Sequence, residues 1–402
     1  MKIKGDLWLF NPHCELSILK EQQHYTPPKM IKKVQNDLSV LLAWLVGDGD
    51  SVLIEKQVVN KAWKELLHSV VGIDFKFVTS KEVKESKIAF NAVKSWGKSP
   101  SLVSDFHFLP PKYQQFYEWN RQLKDVFHRQ FGYNILTYII DNEVNRAISS
   151  TRIGKFCLDY QEVVNEIENV FIKNSFGVIM KLPYSSSGRG ILVLKRNEIT
   201  PSVQKWIESA LNQQGSVLVE PLLEKEFDFS LLFKKHNNTI EFLGGSSFLA
   251  GLTGQYYGSG LNTFRSYFSD LEWESIMKII TLIKTKLKDE KRLEGHFGID
   301  ALVFKGANGE RFIHPCVEIN PRYTMGHVTL GLQKAVPLHK KAEWRIVTKH
   351  EVTDFVAFQK EMEQKHPLSI HLNKVQSGFL PLVDVNLVQN YYAYLLVEDE
   401  EI

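Results

Sequence analysis

The sequence predicts an α/β protein, with a small N-terminal α/β unit followed by a larger half of α+β character arranged as two lobes. Three observations carry this. Short apolar runs alternate with helical periodicity through the first third. From residue 176 the order becomes strand, Ser/Gly-rich turn, strand, helix, strand. Past residue 229, further strands flank one helix and end in a hairpin. The chain has 402 residues, of which 44% are hydrophobic, including 25 Phe, 14 Tyr and 8 Trp. That is enough apolar side chain for a large buried interior, and the length suggests two or three domains.

Residues 7–10 read as a short strand stopped by the turn pair Asn11 and Pro12, and 38–46 as a second apolar segment closed by Gly47, Asp48, Gly49 and Asp50. Residues 52–54 and 75–78 read as buried strands around a helical stretch at 58–70. The 47–50 run lacks the third glycine of a dinucleotide fingerprint and leads into a strand, so it reads as a plain turn. From 110 to about 129, and again over 142–165 with a break at Gly154, the spacing is helical. Strands at 176–181 and 191–194, an amphipathic helix at 201–212 and a strand at 217–219 then describe a nucleotide-covering lobe. Strands at 229–233 and 240–243, a helix at about 271–287, and strands at 299–304 and 312–319 joined by a Gly306-to-Gly309 turn complete the pattern. The Gly/Ser-rich stretch 244–260 reads as a loop, either closing over an acceptor or passive. The resulting division is 1–135, 136–225 and 226–402.

Charge and cysteine content exclude several classes. There are 49 basic and 46 acidic residues, a formal net charge of +3 without a long basic block, so nucleic acid is not an expected partner. Cys14, Cys157 and Cys316 show no CxxC spacing, which argues against a disulfide framework or structural zinc, and Cys316 is expected to be core. No apolar run approaches membrane-spanning length. A cytoplasmic protein with no membrane partner is the expectation.

Three constellations carry chemistry. In the first, Lys181 ends a strand and Ser186, Ser187, Gly188, Arg189 and Gly190 form a small-residue loop able to fold backbone N–H groups over phosphates. It is not a Walker A sequence, and a hairpin turn with an incidental lysine is the alternative. In the second, a strand ending at Glu220 leads through Pro221 and Leu222 to Glu226. An extended crossover of this kind can hold adenine by its backbone while Glu226 accepts ribose hydroxyls. The third is the strongest: Asp300 on one strand, and Glu318, Asn320 and Arg322 on and just after the next. Glu318 and Asn320 share a face by the two-residue period and Asp300 can approach across the hairpin, giving three oxygen ligands suited to Mg2+. Arg322 offers a cation for a transferring phosphoryl group.

In order and rough spacing, Lys181, the loop 185–190, Glu220 to Glu226, Asp300 and the Glu-Ile-Asn-Pro-Arg run ending at Arg322 resemble the ATP-grasp superfamily over residues 140–335. The resemblance implies a Rossmann-like N-terminal domain before a two-lobed ATP-grasp fold. It also implies that Lys181 contacts phosphate or adenine, that Glu220 and the backbone near Leu222 hold adenine, and that Glu226 binds ribose. Asp300, Glu318 and Asn320 would bind Mg2+ or Mn2+, and Arg322 would face phosphate. A second cation for the γ-phosphate would be Arg265 or Lys234. The implied activity is an ATP-dependent carboxylate–amine ligase acting through an acylphosphate on small-molecule or peptide substrates, and a homodimer is the expected assembly. A phosphotransferase using the same cradle, or a non-catalytic ATP-binding module, is the alternative.

Overall fold

The computed structural model describes residues 5–58, 60–86, 88–142, 153–173, 176–185, 190–251, 255–306 and 308–398. The loop candidates Ser186, Ser187, Gly188 and Arg189 lie outside the described residues. The chain divides into two compact units, one of residues 1–121, 257–267 and 322–402, the other of 122–256 and 268–321.

The first unit opens with a parallel sheet in the order Phe75–Val78, Asp50–Leu53, Leu7–Leu9, Val93–Ser95. Leu7, Leu9, Leu53, Val78 and Val93 feed one core with Phe106 and Tyr113. The 47–50 run is a turn, as its sequence predicts: Asp50 accepts from Gly47 N at 2.8 Å, Asp6 N at 2.6 Å and Trp8 Nε1 at 2.8 Å. Of the apolar segment 38–46, residues Ser39–Trp44 form a 3-10 helix. At the end of the first strand, Asn11 is fully buried and spends its amide on Gly97, giving to its carbonyl at 2.7 Å and accepting from its N–H at 3.1 Å. That amide therefore joins the two strand ends at which the sheet order reverses.

Five antiparallel strands, Tyr256–Leu261, Ala342–Thr348, Tyr391–Val397, Lys374–Pro381 and Ser369–His371, pair in that order in the same unit. Asp37, on the helix Lys29–Leu38, secures its turn by accepting the N–H groups of Gln389 at 3.2 Å, Asn390 at 2.8 Å and Tyr391 at 3.0 Å. The stretch 244–260 is thus mostly strand and not loop: Thr239–Ala250 and Tyr256–Leu261 occupy its two ends. Glycine and serine suggest a loop locally, but here they fill ladder positions whose neighbours need little side-chain room.

The second unit holds two sets of antiparallel strands. One runs Lys155–Cys157, Val217–Pro221, Val178–Lys181, Ile191–Leu194, with the helices Tyr160–Ile172 and Pro201–Gln214 packed on it through Val163, Ile167, Val203 and Ile207. Lys155–Cys157 is a strand where the sequence reads as helical; three residues are too few to show a period, and pairing with Val217–Val219 decides the matter. The other runs Arg311–Asn320, Gly295–Lys305, Glu224–His236, Thr239–Ala250. The helix Arg129–Asn142 lies against Arg311–Asn320, with Gly132 so close to Ile319 that a Cβ there would stand 3.4 Å from the Ile319 nitrogen.

Candidate active site

Strand register builds the site. Ser230, Asp300 and Glu318 form one cross-strand row, and Asp228, Leu302 and His314 the next on the same face, with a bulge between Asp300 and Leu302. The Asn320 amide donates to Asp300 Oδ2 at 2.9 Å, and the Ser230 hydroxyl donates to Asp300 Oδ1. Asp300, Glu318 and Asn320 are therefore together, on paired strands held by the hairpin that the Gly306-to-Gly309 turn closes. Among the described residues no group of three or more His, Cys, Asp or Glu gathers as metal ligands. The set here is two carboxylates and an amide. Oxygen donors alone, with one carboxylate already fixed by a hydroxyl and an amide, fit a hard divalent cation.

On the other sheet, Lys181 and Glu220 share a face, diagonally across the pair Val178–Lys181 and Val217–Pro221. Their Nζ and Oε2 stand 2.5 Å apart, and the two residues are 5% and 7% exposed. Burial acts to raise the Glu220 pKa. The Lys181 charge and hydrogen bond, with smaller help from His314 and Arg129, outweigh it and hold the carboxyl below its ordinary value. Glycine is required beside this pair, because a Cβ on Gly154 would come within 2.3 Å of Glu220 Cγ and 2.6 Å of the Val219 carbonyl oxygen. His314, 5% exposed, is pushed down to about 4 by burial, with Glu220 raising it and Lys181 lowering it, so its imidazole is neutral at neutral pH.

The remaining expected residues have these places. The Gly190 carbonyl oxygen accepts from the Leu182 N–H at 2.8 Å. The Leu222 N–H is given to the Gly177 carbonyl at 2.8 Å. Glu226 lies exposed at the start of the long strand Glu224–His236, with its carboxylate 3.1 Å from Arg311 Nε; Arg311 also reaches Glu272 at 3.2 Å. Arg322 is the first residue of the chain's return to the first unit, where its Nε lies 2.8 Å from Glu15 Oε1 and its Nη1 donates to the Tyr323 carbonyl at 3.1 Å. Of the two proposed extra cations, Lys234 is on the strand Glu224–His236 in the second unit and Arg265 in the 3-10 turn Phe264–Tyr267 of the first.

Two charged residues escape a sequence reading. Arg129 donates from Nε to the Leu182 carbonyl at 2.9 Å and from Nη2 to Ser185 Oγ at 3.0 Å, and its Nη1 is 3.0 Å from Glu318 Oε2. No local motif marks it, since its partners are far away in sequence. Asp228 sits in the row next to Asp300, paired with Lys225 at 2.5 Å; burial raises its pKa against the lowering effect of that lysine. Strand alternation was the available signal, because Asp228 and Ser230 share a face between Phe227, Phe229 and Leu231.

The sequence matches no family model and no curated protein. Solved structures do match the fold. N5-carboxyaminoimidazole synthetase from Staphylococcus aureus complexed with ADP is 11% identical, with a TM-score of 0.50 over 100% of this chain and 95% of that one. The biotin carboxylase domain of Hydrogenobacter thermophilus 2-oxoglutarate carboxylase, complexed with MgADP, ADP and bicarbonate, is 9% identical, with a TM-score of 0.53 over 99% and 87%. Biotin carboxylase from Campylobacter jejuni, as a complex with an ATP species, is 11% identical, with a TM-score of 0.50 over 99% and 88%. The chain has the ATP-grasp fold, a mixed α/β architecture with a parallel N-terminal sheet followed by antiparallel sheets.

Proposed function

We propose that this protein is an ATP-dependent ligase that activates a carboxylate as an acylphosphate and joins it to an amine or similar nucleophile. The single observation that carries the reading is the row of Asp300 and Glu318, with Asn320 beside them, in the same unit as the buried Lys181–Glu220 pair. In this reading residues 136–225 form the nucleotide-covering lobe and 226–402 contain the metal-bearing one. Gly190 and its preceding loop, Glu220, the Leu222 backbone and Glu226 bind nucleotide. The protein acts in the cytoplasm on small carboxylates or peptides.

Asp300, Glu318 and Asn320 would hold magnesium, which would supply Lewis-acid charge stabilisation for phosphoryl transfer. Lys181 would supply positive charge toward the phosphates, so no protein nucleophile is needed. An acylphosphate hydrolyses readily, so the reaction requires a site closed to water. The fold shared with structures containing ADP or an ATP species supports nucleotide binding.

ADP release with Mg-ATP across pooled amino acids, short peptides and simple carboxylic acids tests this. One pool should drive ADP formation in the native protein and not in a folded Glu318→Ala variant. ATP binding with no pool-dependent turnover, or turnover untouched by Glu318→Ala, counts against the ligase reading.

A further inference from the structure

Arg129 is the first residue of the helix Arg129–Asn142, and its backbone N–H donates to the Pro183 carbonyl at 3.0 Å. Its side chain is 5% exposed and all three guanidinium nitrogens are engaged: Leu182 O and Ser185 Oγ fix two of them, and the third faces Glu318 Oε2 at 3.0 Å. A planar fork held on two acceptors has little freedom, so the charge placed on Glu318 is pre-positioned by the segment that follows Lys181. Glu318 is also one of the two carboxylates of the candidate metal set. A guanidinium and a divalent cation both seek the same carboxylate electrons, and two carboxylates facing each other across a ladder repel unless a cation is near.

Resting on the metal reading given above, we propose that Arg129 is a positioning residue that stands in for the divalent cation at Glu318. It neutralises that carboxylate and keeps it oriented beside Asp300, and metal binding competes with it. A residue that only tied the helix to residues 182–185 would support stability and leave metal affinity alone.

Mn2+ without nucleotide, titrated into the full-length protein and followed by its electron paramagnetic resonance signal, separates the two roles. Arg129→Gln should bind Mn2+ about tenfold more tightly than the native protein, the scale of one lost charge-assisted competitor. Arg129→Met, which keeps the aliphatic stem, should show the same gain and serves if the glutamine variant does not fold. Arg129→Lys, which returns a charge, should bring the affinity back toward the native value. Unchanged or weaker Mn2+ binding in the neutral variants, with Mn-ATP still bound by the native protein, overturns the assignment of Arg129 alone. If Mn2+ does not bind the native protein even with ATP, or binds equally to Glu318→Ala, the metal reading fails and this inference fails with it.

Discussion

At the scale of single residues, the candidate charges are matched by opposite charges from the chain itself: Lys181 with Glu220, Arg129 with Glu318, Arg311 with Glu226 and Arg322 with Glu15. Burial makes the first of these the most consequential. Lys181→Met would leave the Glu220 carboxylate uncompensated, at about 3–5 kcal/mol, and urea unfolding should show that loss; adding Glu220→Gln should recover much of it. His314 gives a pH dependence whose sign is fixed. The unfolded imidazole takes its proton near 6.5 while the folded one waits until about 4. Between those values the unfolded chain binds more protons, so stability falls as pH falls, by about 3 kcal/mol across the window. Urea midpoints measured from pH 7 to pH 4 should drop in the native protein, and less steeply in His314→Leu. The lysine and metal strands are legible in the sequence because each lies in a short motif. Arg129 is not, because its meaning comes entirely from partners 53 to 189 positions away.

At the scale of elements, close backbone approach matters as much as side-chain chemistry. Gly154→Ala would push a Cβ into Glu220 and the Val219 carbonyl, so it should cost about 1–3 kcal/mol and disturb the Lys181–Glu220 pair, measured as lower thermal stability together with weaker ATP binding. The helix Asp270–Leu287 begins with a complete capping box, Ser269 and Glu272 each bonding the other's backbone N–H. Ser269→Ala should lower stability by about 1 kcal/mol without altering nucleotide affinity. Helices and strands with strong periodicity, such as 201–212 and 299–304, were readable. The strands Lys155–Cys157 and Val93–Ser95 were not, since three residues carry no period and their pairing partners alone define them.

At the scale of the molecule, the chain leaves its first unit at residue 121 and returns to it at 257–267 and from Arg322. Tyr256–Leu261 pairs with Ala342–Thr348, and Asp37 holds the turn at 389–391. A fragment of residues 1–321 should therefore lose cooperative unfolding in circular dichroism, because it strands one sheet edge and a buried carboxylate while the second unit keeps its own contacts. The sequence by itself determined the α/β class, the order of the nucleotide-lobe strands and the hairpin carrying Asp300, Glu318 and Asn320, because local periodicity and turn chemistry act over a few residues. Only the tertiary structure decided that Arg129 reaches Glu318, that Lys181 is paired with Glu220, and that residues after Arg322 complete the first unit. Those outcomes depend on charges and strands brought together from distant parts of the chain, where burial makes each pairing obligatory and no local pattern records it.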